Sequence, residues 1–145
     1  MQVRLCGIND RIAEEARQKY PNECCGVLLG CLADFEVREI RTLDNAVDVD
    51  KRNVHFAISP LALYEVERLA EKSGLEIVGF FHSHPDCKAV PSSEDQAFMI
   101  PKLAYVIVSV QNGDVVDARA YYKPTPATPA FEIETVIQDK EYQNG

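Results

Sequence analysis

The sequence predicts an α/β fold, a single domain with a mixed central β-sheet flanked by helices. Three observations predict it. Strand-like and helix-like segments alternate along the chain. "LEIVGFF" (75–81) is almost wholly apolar, as expected of a strand buried on both faces. "LAYVIVSVQNGDVVDARAYY" (103–122) reads as an antiparallel hairpin turning at Asn112-Gly113, a dipeptide suited to a type I′ turn. With 145 residues and 46% apolar content, the chain is long enough for one core and short for two. No internal repeat is present, so the domain is expected to span 1–145, with the polar last eight residues (138–145) a disordered tail.

The elements follow in order. "NDRIAEEARQKYP" reads as a helix capped by Asn9 or Asp10, with Ile12, Ala13 and Ala16 on one face and Pro21 as the stop. "ECCGVLLGCL" and "FEVREIRTL" read as two strands around a turn near Ala33 and Asp34. "VHFAI" is a short strand. Ser59 and Pro60, an N-cap and first-turn pair, then open a helix whose apolar stripe is Ala62, Leu63, Val66, Leu69 and Ala70, with Gly74 just past its end. After the hairpin, a proline-rich bend from Pro124 to Pro129 leads to "FEIETVIQ", which is expected to be an edge strand.

Composition excludes several classes. The net charge of −8 argues against a nucleic-acid partner, because phosphate binding rests on a basic surface. No apolar run is long enough to span a membrane, and "MQVRLCGIND" lacks the apolar stretch of a secretory signal. The five cysteines, Cys6, Cys24, Cys25, Cys31 and Cys87, are odd in number and form no CxxC pair. A reduced, cytoplasmic setting is the simplest expectation.

The chemistry concentrates in "GFFHSHPDCKAVPSSEDQAF" (79–98). If the strand continues through His82 and His84, alternation sends both imidazoles to one side and Ser83 to the other. Such a pair can converge on one ion, and Pro85 ends the strand there. Ser92 and Asp95 are three apart at an apparent helix start, which suits a capping box. The same spacing also puts a hydroxyl and a carboxylate on one face of a first turn. Two neutral nitrogens and a carboxylate suit catalytic zinc, which keeps a fourth position for water. A hydrolytic site also needs a proton acceptor. Glu23, at the start of an apolar strand, is the best candidate, since partial desolvation raises a carboxyl pKa.

Together, "NECCGVLLG", "HSHP", seven intervening residues and "SSED" resemble the JAMM (MPN-plus) metalloproteases, over about residues 1–122. That resemblance implies His82, His84 and Asp95 as ligands of one zinc ion per chain. It implies Glu23 as the catalytic acid/base and Ser92 as the hydrogen-bond donor to the developing oxyanion. It also implies a cytidine-deaminase-like fold. The implied activity is hydrolysis of a peptide or isopeptide bond after the C-terminal Gly-Gly of a ubiquitin-like protein. The short chain suits the compact prokaryotic members, whose substrates are small sulfur-carrier proteins.

Other residues have plainer readings. Cys87 is a loop cysteine, Cys24 and Cys25 are small core residues, and by alternation Cys25 rather than Cys24 shares a face with Glu23. His55 has no assigned role, and the acidic run Asp44 to Asp50 reads as a solvated loop. A zinc deaminase on a related fold needs H-x-E and P-C-x-x-C, and neither occurs. The alternative function is a non-catalytic MPN-type scaffold or interaction module, whose known members lack the metal residues that this chain retains.

Overall fold

The computed structural model describes residues 1–43 and 60–138. Among these, the elements are β1 (Gln2–Cys6), α1 (Asn9–Lys19), β2 (Cys25–Cys31), β3 (Glu36–Leu43), α2 (Pro60–Lys72), β4 (Glu76–Pro85), α3 (Ser93–Phe98), β5 (Ala104–Gln111), β6 (Asp114–Tyr122) and β7 (Phe131–Gln138). The sheet is mixed, as the sequence predicts. Its strand order is β1-β3-β2-β4-β5-β6-β7, and β7 pairs back onto β1 to close the ring. The pairs β1/β3, β1/β7 and β4/β5 are parallel, and the rest are antiparallel.

The sheet curls around α1. Its inner face draws buried residues from all seven strands, among them Val3, Leu28, Val37, Phe81 and Val108, and packs them on Ile8, Ile12 and Ala16. Truncating a buried isoleucine such as Ile12 to alanine costs about 2–5 kcal/mol, which gives the scale of this attachment. On the outer face, Val27, Leu29, Phe80 and Ile107 pack under Val66 and Ala70 of α2. β4 lies between these layers and is buried along nearly its whole length. A bulge opposite Leu28 and Leu29 resets its alternation, so that Phe81 turns inward while Phe80 turns outward. Gly26 lies under the Phe81 ring, where a Cβ would collide with it and with the Arg41 carbonyl. That close approach brings β2 and β4 together just before strand alternation delivers His82.

Several expectations are met in detail. Asn112 and Gly113 both have positive φ (52° and 84°), as a type I′ turn requires. Gly74 (φ 70°) ends α2 in a Schellman arrangement, with Leu75 N–H bonded to Ala70 O at 2.9 Å and Gly74 N–H to Glu71 O at 3.1 Å. Tyr20 is extended, as the residue before Pro21 should be, and α1 stops there.

Four expectations are corrected. The N-cap of α1 is Ile8, with no side-chain cap bond, so Asn9 and Asp10 fall within the first turn. Burial of Ile8 in the core fixes where the helix enters, and that outweighs the capping preference. Leu69 is 43% exposed, whereas Val66 and Ala70 are buried against the sheet and Leu63 packs partly against it. β7 is no edge strand, since it pairs with β6 on one side and β1 on the other. The closing partner is the five-residue "QVRLC", a strand too short to stand out in the sequence. Glu23 and Cys24 precede β2 rather than beginning it. The strand expected at 54–58, Ser59, His55, the acidic run 44–50 and residues 139–145 of the expected tail lie outside the described residues. No helix among the described residues is long and apolar enough to cross a membrane.

Candidate metal centre

Strand β4 carries both histidines to the end of the sheet. Cys25 pairs with His82 across β2/β4, and His82 and His84 pair with Ile107 and Ser109 across β4/β5. Both imidazoles leave from the outer face, as alternation predicts. Their Nε2 atoms lie 3.1 Å apart. His82 is buried (1% exposed) and His84 nearly so (9%).

Asp95 arrives from α3. Ser92 is the N-cap: its Oγ accepts Asp95 N–H at 3.0 Å, and Asp95 Oδ2 accepts Ser92 N–H at 2.9 Å, which completes a capping box. The same Oδ2 lies 2.9 Å from His84 Nε2 and 3.4 Å from His82 Nε2. Capping and site are therefore one arrangement. The box fixes the carboxylate rotamer that faces the histidines.

Three donor atoms thus sit 2.9, 3.1 and 3.4 Å from one another. Ligands held at zinc–nitrogen and zinc–oxygen distances in a tetrahedron are roughly 3.3–3.4 Å apart. The set fits such an ion with small adjustments. Hydrogen-bond logic supports the same conclusion. His84 Nδ1 lies 2.8 Å from the Lys88 carbonyl, which can only accept, so Nδ1 carries the proton and neutral His84 presents a bare lone pair at Nε2. Two lone pairs, from His84 and Asp95, then face each other at 2.9 Å. That contact is stable only with a cation between them, a proton or a metal.

The protonation tendencies of the metal-free centre agree. Burial opposes a charge on His84, but the bonds to Asp95 and the Lys88 carbonyl outweigh it and leave its pKa raised. Burial also works against Asp95 ionising, yet hydrogen bonds from His82 and His84 and from Ser92 N–H hold it far below the usual carboxylate range. His82 is shifted down, because its burial exceeds the help that Asp95 gives to its charged form.

Glu23 comes in from the segment just before β2. It is 5% exposed, and its donor oxygen lies within 4.8 Å of the ligand nitrogens of both His82 and His84. Its Oε2 is buried with no hydrogen-bond partner among the described residues. Burial pushes its pKa up to about 7, with the His84 charge opposing and Asp95 adding to the rise. Two triads share the histidine pair, one completed by Asp95 and one by Glu23. The Asp95 triad is the tighter of the two, at 2.9–3.4 Å. The Glu23 set is wider, its donor atoms all lying within 4.8 Å of one another.

The structure therefore brings Glu23, His82, His84 and Asp95 together, with Ser92 exposed at the rim. Cys87 is exposed, and its carbonyl accepts a bond from Ser109 Oγ at 2.5 Å. Cys25 shares the ladder position of His82, while Cys24 packs in the inner core, as alternation predicts. Sequence reasoning missed the Lys88 carbonyl, which sets the His84 tautomer. A main-chain acceptor leaves no trace in residue identity.

Comparison with known proteins identifies the lineage. The family described as prokaryotic homologues of the JAB domain matches residues 7–121. The chain belongs to that family, the compact prokaryotic kind of JAMM/MPN protein. It is similar to a desampylase of Haloferax volcanii, at 32% identity over 106 residues, covering 69% of this chain and 74% of the relative. A desampylase of Pyrococcus furiosus is 34% identical over 73 residues, about half of each chain. Among solved structures, the protein DSY2949 of Desulfitobacterium hafniense superposes with a TM-score of 0.78 at 29% identity, covering 96% of this chain and 94% of that one.

Proposed function

We propose that this JAB-family protein is a zinc-dependent hydrolase of the JAMM type. Its reaction is cleavage of a peptide or isopeptide bond after the C-terminal Gly-Gly of a small ubiquitin-like or sulfur-carrier protein. The observation that carries this reading is the convergence of His82 Nε2, His84 Nε2 and Asp95 Oδ2 beside a buried Glu23 oxygen that lacks a protein partner. Two relatives of this chain bear the name desampylase, which supports the hydrolase reading.

In this reading His82, His84 and Asp95 hold one zinc ion. Bound there, zinc would supply Lewis-acid polarisation of water and of the scissile carbonyl. Glu23 would accept the proton of the attacking water and return it to the leaving amine, a task suited to a carboxyl whose pKa burial lifts to about 7. Ser92 accepts the Asp95 N–H through one lone pair and retains a hydroxyl proton. That proton would be given to the oxygen that gains charge. The Lys88 carbonyl would hold His84 in the tautomer that presents Nε2.

We further assign the whole chain, 1–145, to one domain of the cytidine-deaminase-like class acting in the cytoplasm. Support comes from the helix-filled mixed sheet and the cysteine usage. The deciding experiment measures zinc content and cleavage of an isopeptide-linked ubiquitin-like conjugate by the purified protein. Stoichiometric zinc, with hydrolysis abolished by chelation and restored by zinc, is expected. Zinc-free protein with unchanged hydrolysis would discard the metal mechanism. Zinc-loaded protein that cleaves no conjugate would favour the scaffold alternative.

A further inference from the structure

Ser83 stands between the two histidines and points away from them, into the inner side of the sheet. It is fully buried. The antiparallel ladder between β2 and β4 runs as far as Cys25 opposite His82. One step nearer the site, Cys24 faces Ser83, and a regular hydrogen-bonded pair would exchange two main-chain bonds there. Only one is of that kind, Ser83 N–H to Cys24 O at 3.0 Å. The other main-chain donor, Cys24 N–H, instead meets the Ser83 side chain, giving its bond to Oγ at 2.8 Å. A side chain thus replaces main chain at the point where β2 leaves the sheet, and Glu23 is the next residue.

Glu23 needs such an anchor. Its Oε2 has no hydrogen-bond partner among the described residues, so no bond to that oxygen fixes where the carboxylate sits. The main-chain position set at Cys24 decides it.

We infer that Ser83 is a positioning residue for Glu23, holding the Cys24 main chain so that the Glu23 carboxylate faces the histidine pair. The inference rests on the hydrolase reading above. Ser83 touches neither the ligand atoms nor the reacting atoms. Its effect runs through one peptide unit.

The test uses Ser83→Ala, Ser83→Thr and Glu23→Gln, with the double variant Glu23→Gln/Ser83→Ala. Four quantities are read: zinc content, kcat, KM and hydrogen exchange of the Cys24 amide. Ser83→Ala is expected to keep zinc and KM, to expose the Cys24 amide to faster exchange, and to lower kcat on the order of 10²-fold, the scale of a misplacement near 1 Å. Ser83→Thr keeps the hydroxyl and should restore both amide protection and kcat. In the Glu23→Gln background, Ser83→Ala should cost nothing further, because residues acting as a unit are non-additive. An unchanged kcat with a fast-exchanging Cys24 amide would overturn the inference, as would an equal loss in both backgrounds or loss of zinc. If Ser83→Ala fails to fold, Ser83→Cys takes its place, since a thiol is a weaker acceptor of similar size; a full kcat there also overturns it. A wild-type protein that binds zinc but cleaves nothing removes the hydrolase reading itself, an outcome distinct from all of these.

Discussion

His84 Nε2 and Asp95 Oδ2 approach to 2.9 Å, although a loop separates the strand that carries one from the helix that carries the other. Each is fixed on its own side. His84 is tied to the Lys88 carbonyl, and Asp95 is locked by the capping box with Ser92. The loop between them is pinned in turn by Tyr121 Oη, which donates to the Ala89 carbonyl at 2.6 Å. α3 is held at its far end by the buried Lys123, whose Nζ donates to the Gln96 carbonyl at 2.6 Å. The two groups are thus presented by rigid elements, which is what a preformed metal centre requires.

Loss of a ligand should therefore empty the site rather than distort it. His82→Ala and Asp95→Asn are expected to fall from stoichiometric to trace zinc and to lose hydrolysis. Elemental analysis of the purified variants checks this. Full zinc in both would reassign the ligands to the Glu23 triad.

Glu23→Gln separates holding the ion from using it. The amide keeps the shape of the side chain but cannot accept a proton. Zinc should stay bound while kcat falls on the order of 10²–10⁴-fold, the usual loss when a general base is removed. Normal turnover would mean that another group takes the proton.

Much of the centre was legible in the sequence, and the reasons are physical. Side-chain alternation along β4 is local, so the convergence of His82 and His84, with Ser83 opposed, could be read directly. The spacing of Ser92 and Asp95 is likewise local to one helical turn. Glu23 could be nominated from its place beside an apolar strand. Nothing in its neighbourhood says that β2 and β4 pair with Cys25 opposite His82, so its approach to the histidines came only from the family resemblance. The ring closure was missed for a similar reason. Whether "FEIETVIQ" is an edge depends on a five-residue strand at the opposite end of the chain. Ser83 was seen to point inward, but its bond to Cys24 N–H exists only once those strands pair.

The raised pKa of Glu23 predicts a pH-dependent stability in the metal-free protein. A carboxyl whose folded value, about 7, exceeds its unfolded value of 4.5 binds its proton more tightly when folded. Its contribution is favourable below pH 4.5 and is lost as pH rises through 7. Asp95 works oppositely, since its depressed value matters only below the ordinary carboxylate range. In chelator, Glu23→Gln should match wild type at pH 4 and exceed it by on the order of 3 kcal/mol at pH 8. Thermal melts at the two pH values measure the difference. Equal stabilities at pH 8 would show that Glu23 ionises without cost.

Ser92 has two tasks that one substitution removes together. Ser92→Ala should cost about 0.5–2 kcal/mol of stability through the lost cap. It should also raise the activation barrier by roughly 2.7–4 kcal/mol if the hydroxyl serves the oxyanion. Ser92→Thr keeps both an acceptor and a donor and should recover most of each. A stability loss with unchanged kcat would reduce Ser92 to a cap.

The substrate prediction concerns where the chain is cut. A Gly-Gly tail carries no side chains, so it can lie extended in a narrow approach and bring its carbonyl to the ion. Its flexibility imposes an ordering cost that contacts with the body of the carrier must offset. A folded ubiquitin-like carrier should therefore be cut far faster than a free peptide of the same terminal sequence. Two substrates decide the matter: a small carrier extended by a few residues beyond Gly-Gly, and the isolated tail peptide with the same extension. Mass spectrometry should find a single cut directly after the second glycine, with kcat/KM for the carrier well above that for the peptide. Cleavage at other positions, or equal rates on the two, would discard this substrate class while leaving the zinc hydrolase intact.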